Sequence, residues 1–214
     1  MPSDKAVVHV IDDDEAMRES LAFLLNAVGM EVRTYESATA FLAVASKVGA
    51  GCVITDVRMP ELSGVDLLRR LRELKLGIPV IVITGHGDVP LAVEAMKIGA
   101  LDFLEKPFDD ELLLASVRSA LDKLNQDQRR QAERSEIEGR LAALSNRERD
   151  VLEGLVSGQA NKQIAYDLGI SPRTIEIYRA NLMTKMQAAS LSDLVRMALI
   201  AGILGPGSDR PKAS

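Results

Sequence analysis

The 214-residue chain has no tryptophan, three tyrosines and four phenylalanines. So few rings weigh against a domain built to grip a large flat ligand. Its one cysteine, Cys52, sits in an apolar run. A single thiol can build neither a disulfide frame nor a zinc site, so a reducing cytosol is the expected compartment. No apolar run approaches the ~18 residues a membrane span requires. The N-terminal segment runs into an acidic cluster at Asp12 without the apolar stretch of a signal peptide. An overall basic excess is also missing: the formal net charge is −5.

The charge is unevenly spread. Residues 1–122 hold 12 Lys/Arg against 20 Asp/Glu, residues 123–140 hold 5 against 4, and residues 141–214 hold 9 against 7. The acidic first part is a poor partner for nucleic acid, whereas the last part is not repelled by it.

What is present is a core and an alternation. Apolar residues make up 47% of the chain. Five short apolar runs, at 6–11, 30–35, 52–57, 79–84 and 102–106, alternate with segments of helical periodicity. Such alternation predicts βα units around a five-stranded parallel sheet. The runs at 6–11, 52–57 and 79–84 are nearly all apolar, as strands covered on both faces are. MEVRTY (30–35) alternates and reads as an edge, and DFLEK (102–106) as the other.

Ligands of such sheets bind beyond the C-terminal strand ends. There the first strand ends in Asp12, Asp13 and Asp14, the third in Asp56, and the fourth in Thr84, while the fifth runs into Lys106-Pro107. Singly, the acids could begin a helix or cap a turn. Together they form a carboxylate cluster with one hydroxyl and one amine. Converging carboxylates need a cation or a raised pKa. Oxygen ligands of this kind suit Mg²⁺, usually completed by phosphate. Asp56, alone on the central strand, is the candidate carboxylate nucleophile for a phosphoryl group. An aspartate-based phosphohydrolase often carries a second acid two residues after its nucleophile. Here that position is Arg58, which argues against turnover of outside substrates. His9, mid-strand, and Cys52 read as core residues. His86 lies near the pocket mouth with no assigned chemistry.

IDDDEAMR, VITDVRMPELSGVDLL, VIVITGHGD and GALDFLEKPF, in this order, resemble the receiver domain of bacterial two-component response regulators over about residues 4–122. The resemblance implies a flavodoxin-like fold and phosphorylation of Asp56 by a sensor histidine kinase. It implies Mg²⁺ binding by Asp13, Asp56 and the Arg58 backbone carbonyl, with Asp12 acting through water. It makes Thr84 and Lys106 the phosphoryl contacts, Phe103 the switch aromatic with Thr84, and the Lys106–Pro107 bond cis.

From residue 123 to 140 the chain is polar and charged, with a sparse stripe of Leu124, Ile137 and the following Leu141, and reads as a helical linker continuing the fifth helix, with a disordered tether as the alternative. Residues 141–204 are all helix signals. Ser145 and Glu148 fit a capping box, and a Gly169 turn precedes a helix started by Ser171-Pro172. Two short helices joined by such a turn describe a helix-turn-helix, and composition alone leaves a plain helical bundle equally open. Its second helix carries Arg173, Thr174, Arg179, Asn181 and Lys185 outward, while Ile175, Tyr178, Leu182 and Met186 pack and Ile177 is open to either side. A loose tail is expected over 205–214.

Residues 141–204 resemble the DNA-binding domain of the LuxR/NarL/FixJ class. That resemblance makes 172–186 the recognition helix. Glu176, Ile177 and Ala180 fall where some relatives place base-reading Lys and Val. Arg173, Thr174, Arg179, Asn181, Lys185 and Lys162 become candidate phosphate contacts. It implies a cytoplasmic transcription regulator that dimerises on phosphorylation through the fourth helix and fifth strand of its receiver and works with RNA polymerase. The chain also resembles nitrogen-fixation regulators of this class, which implies a haem-based oxygen sensor as its kinase.

Overall fold

The computed structural model describes residues 6–85 and 89–203; His86 and the segment 205–214 lie outside them. The chain forms two compact units that part between Gln128 and Arg129.

The first unit alternates strands and helices: β1 (Val7–Ile11), α1 (Glu15–Ala27), β2 (Glu31–Tyr35), α2 (Ala38–Ala45), β3 (Gly51–Asp56), α3 (Gly64–Glu73), β4 (Val80–Thr84), α4 (Val89–Ile98), β5 (Asp102–Glu105) and α5 (Asp110–Ala142). All strand pairs are parallel, in the order β2-β1-β3-β4-β5. The alternating run is indeed an edge: Glu31, Arg33 and Thr34 are exposed while every residue of β3 and β4 is buried.

Successive strand residues face opposite sides. Val8, Val10, Cys52, Ile54, Ile81, Ile83 and Leu104 pack under α1 and α5. Ile11, Val53, Val80 and Val82 pack with Phe41, Leu67, Leu68 and Ala95 of α2, α3 and α4, and Phe103 joins them. That parity positions the site. Asp12, Asp56 and Lys106 continue the α1/α5 face past the strand ends, whereas Thr84 shares the opposite face with Phe103.

Gly64 explains how β3 can end where it does. A Cβ there would stand 2.1 Å from the Asp56 carbonyl oxygen, so only glycine lets α3 begin against the strand end.

His9 is 1% exposed and stacks with Tyr35 and Phe41. Its Nδ1 lies 3.2 Å from the Tyr35 hydroxyl, and its Nε2 has no hydrogen-bond partner among the described residues. Burial, aided by Arg33, pushes its pKa down to about 4. Because the folded value lies below the ordinary 6.5, the unfolded chain takes up the proton first. The contribution is complete above pH 6.5, declines below it, and is gone once pH falls through the folded value. We expect His9 to cost the first unit about 2 kcal/mol between pH 7 and pH 5. Chemical denaturation at the two pH values, against His9→Phe, measures this. An equal loss in the variant would refute it.

The segment expected as a helical linker continuing the fifth helix is part of α5, one helix of 33 residues. Its polar middle is exposed, but Ile137 is 3% exposed and Leu141 is half-buried in the core of the second unit. The last turns therefore belong to that unit's packing, and burying one such aliphatic side chain contributes about 2 kcal/mol. The rest of the unit is α6 (Asn146–Val156), α7 (Asn161–Leu168), α8 (Pro172–Met186) and α9 (Leu191–Ile200). Ser145 and Glu148 close the capping box on α6, and Gly169 takes the left-handed conformation (φ 67°) after α7.

Candidate functional site

The three consecutive acids after β1 divide their work. Asp14 caps α1, accepting from the Ala16 and Met17 amides. Asp13 is exposed, with no hydrogen bond to its side chain among the described residues. Asp12 turns inward and is 2% exposed. Its Oδ1 accepts from the Asp14 amide at 2.9 Å. Arg18, which sequence reasoning passed over, braces this loop by donating to the Asp12 and Asp13 carbonyls at 2.8 and 3.0 Å.

Asp56 is 7% exposed at the end of β3. Its two oxygens have different partners. Oδ2 accepts the Arg58 amide at 2.6 Å, and Oδ1 accepts from Lys106 Nζ at 2.7 Å. The same ammonium reaches Asp12 Oδ2 at 3.0 Å. Lys106 is delivered from the end of β5, where its amide donates to the Thr84 carbonyl at 2.7 Å and the following peptide bond to Pro107 is cis. The Arg58 side chain is exposed; the contact the structure gives this residue is through its amide. Thr84 is 1% exposed, and Phe103 pairs in register with Val82, two residues before it on the same face.

One ammonium cannot neutralise two carboxylates, and the pocket carries the surplus. Burial raises the Asp12 carboxyl, against the pull of the Asp14 amide and Lys106, and Asp56 adds to the rise. Burial would lower Lys106, but its hydrogen bonds to Asp56 and Asp12 outweigh it and raise the amine. The geometry is that of one charged lysine shared by two acids, leaving a net negative charge on oxygen atoms only. Among the described residues no three His, Cys, Asp or Glu side chains converge closely enough to form a closed metal cage. Two convergent carboxylates with surplus charge and an exposed third acid beside them fit a hard divalent cation that keeps most of its waters, as Mg²⁺ does.

In the second unit, α8 buries Ile175, Leu182 and Met186 and half-buries Tyr178. Arg173, Glu176, Ile177, Ala180, Asn181 and Thr184 are exposed, at spacings that share one helix face. Ile177 settles outward, 58% exposed. Lys162 is exposed in the first turn of α7, and Tyr166, one turn on, is 83% exposed and was not anticipated. Three anticipated outward residues are otherwise engaged. Thr174 is half-buried, with its hydroxyl 2.8 Å from Ser171 Oγ at the helix start. Arg179 is half-buried and reaches Asn161 Oδ1 at 3.4 Å. Lys185 pairs with the buried Glu148 at 2.7 Å.

Residues 8–118 match the response regulator receiver domain, and residues 142–198 match the bacterial regulatory proteins of the luxR family. The chain belongs to the luxR-family response regulators. It is 60% identical to the transcriptional regulatory protein FixJ of Azorhizobium caulinodans over 94% of this chain and 95% of that one. Among solved structures, it is similar to full-length FixJ from B. japonicum (53% identity, 95% of this chain and 100% of that one, TM-score 0.60). It is also similar to the response regulator StyR (38% identity, 91% and 98%, TM-score 0.80). This response regulator is thus a two-component transcription regulator with a receiver and a DNA-binding domain. Among the described residues, no helix is long and apolar enough to cross a membrane.

Proposed function

We propose that Asp56 accepts a phosphoryl group from a sensor histidine kinase and that this event controls DNA binding by the second unit. The observation that carries this reading is the Asp56 carboxylate itself. It is nearly buried at a central strand end, held on one oxygen by Lys106 and on the other by the Arg58 amide. Lys106 and Thr84 would hold the transferred oxygens. Asp12, Asp13, Asp56 and the Arg58 carbonyl would hold Mg²⁺, which neutralises charge as the phosphoryl group arrives. No acid stands two residues after Asp56, so the receiver supports its own phosphorylation and dephosphorylation without acting on outside substrates.

A phosphoryl group adds close to two negative charges beside Lys106. Thr84, drawn toward it, opens space on the face it shares with Phe103, and the surface of α4 and β5 changes shape. Three side chains on α4, Val89, Val93 and Met96, are 71%, 46% and 49% exposed at helical spacing. This apolar stripe supports receiver dimerisation through α4 and β5. Leu191 and Leu199 of α9, also exposed, support pairing of the DNA-binding units. Two such units on adjacent half-sites gain affinity from their effective concentration.

On α8, Arg173 and Asn181, with Lys162 from α7, suit phosphate contacts. Glu176 suits the cytosine amino group, and Ile177 suits the thymine methyl. Similarity to FixJ favours activation of nitrogen-fixation or oxygen-responsive genes in the cytoplasm, a FixL-type oxygen-sensing kinase, and contact with RNA polymerase.

The test is DNA binding by the intact chain over a genomic fragment library, with and without a small phosphodonor and Mg²⁺. We expect the treated chain to retain a small set of fragments that the untreated chain does not. Identical retention would replace this reading with a regulator gated without phosphorylation.

A further inference from the structure

Two cations from different elements hold the last turn of α8. Lys185 Nζ lies 2.7 Å from Glu148 Oε2 on α6 and 3.4 Å from the Ala143 carbonyl. Arg140, near the end of α5, donates through Nη1 to the Met186 carbonyl at 3.0 Å and through Nη2 to Glu136 at 2.6 Å. The last carbonyls of a helix lack intrahelical donors and carry partial negative charge. A guanidinium there both satisfies one and fixes its direction. Arg140 is only 19% exposed at its side chain, and Ile137 and Leu141 beside it pack into the same core as α8. At the other contact, Glu148 is 4% exposed and also accepts the Ser145 amide and hydroxyl at 2.8 and 2.9 Å. Lys185 and the Ser145 amide hold its carboxyl below the usual range, so it stays ionised as a fixed anchor.

We propose that Arg140 and Lys185 are positioning residues for DNA reading, fixing the direction in which α8 presents Arg173, Glu176, Ile177 and Asn181. Neither contacts base or phosphate. The proposal rests on α8 being the recognition helix. It places one residue of the reading apparatus outside the luxR-family match, which begins at residue 142. It also removes Lys185 from the phosphate contacts expected from the sequence, because its ammonium is committed to Glu148.

The experiment uses the full chain treated with a small phosphodonor and Mg²⁺. The probes are a duplex that the wild type selects from a random-sequence pool and a scrambled duplex of equal length, each titrated at several salt concentrations. Arg140→Gln and Lys185→Met are expected to lower affinity for the selected duplex about tenfold, comparable to one mismatched base pair. Affinity for the scrambled duplex and the salt slope stay as in the wild type, and Arg140→Lys recovers part of the loss. A salt slope reduced by about one marks a phosphate contact and overturns the proposal. Unchanged affinity for the selected duplex overturns it too. So does a parallel loss on both duplexes by a folded variant. Circular dichroism at the titration temperature confirms folding; should Arg140→Gln fail it, Arg140→Lys against the wild type gives the same comparison. If the wild type itself prefers no duplex over the scramble, the recognition-helix reading fails first, whatever the variants do.

Discussion

Asp56→Asn will take up no phosphate from a labelled small phosphodonor in the presence of Mg²⁺, under conditions where the wild type is labelled. The amide is close to isosteric, but its nitrogen is no nucleophile and its oxygen is far weaker than a carboxylate oxygen. The variant should stay folded, because two consequences oppose each other. Both Asp56 oxygens now face donors, Lys106 Nζ and the Arg58 amide. In the variant one of these donors meets an NH₂ group and loses its acceptor. Against that, removing a negative charge relieves the surplus felt by Asp12. The lost hydrogen bond costs on the order of 1–2 kcal/mol and the relieved charge acts against it, so the melting temperature moves little. Label incorporated into the variant at the wild-type level would remove Asp56 from the mechanism.

The second large effect is expected on α4. Val93→Asp places a charge in the middle of the Val89–Val93–Met96 stripe. Val93 is already 46% exposed, so the receiver should fold normally. The phosphorylated variant should remain monomeric at concentrations where the phosphorylated wild type is a dimer, as read by analytical ultracentrifugation. Without receiver pairing, affinity for a two-half-site duplex should fall by about 10²-fold, the gain that linking two modules provides. Phosphorylation itself is untouched, since α4 supplies none of the groups around Asp56. A variant that dimerises as well as the wild type would move the interface elsewhere.

The fold was largely legible because its signals are local and repeated. Unbroken apolar runs marked the covered strands β1, β3 and β4, and the alternating MEVRTY marked the edge. Ser145 with Glu148, Gly169, and Ser171-Pro172 marked the ends of α6, α7 and α8 almost to the residue. Asp12, Asp56 and Lys106 could be brought together in advance because parallel strands put their C-terminal ends on one side. Features that depend on tertiary distance were not legible. Nothing in the local pattern says that Gly64 sits against the Asp56 carbonyl, or that Arg18 reaches back to the Asp12 loop. Lys185 looked like a surface cation on a polar face, and its partner Glu148 lies on another helix. Ile137 looked like one member of a sparse apolar stripe in a charged linker, and only the packing of α6 to α9 around it makes it core. The fourth helix was the expected pairing face, but not its residues: the spacing of Val89, Val93 and Met96 is that of a buried face, and only the structure leaves them uncovered.

A free carboxylate has two interchangeable oxygens, and a half-turn about its bond swaps them without consequence. At Asp56 they are distinct. One is tied to the chain's own backbone at Arg58, and the other to a lysine brought in from β5. An acyl phosphate also has two unlike oxygens, one bridging to phosphorus and one remaining a carbonyl. The receiver therefore offers the two positions different surroundings, a backbone amide at one and an ammonium at the other. Two environments thus meet one symmetric group, and in the proposed reaction only one of its oxygens would become the bridge.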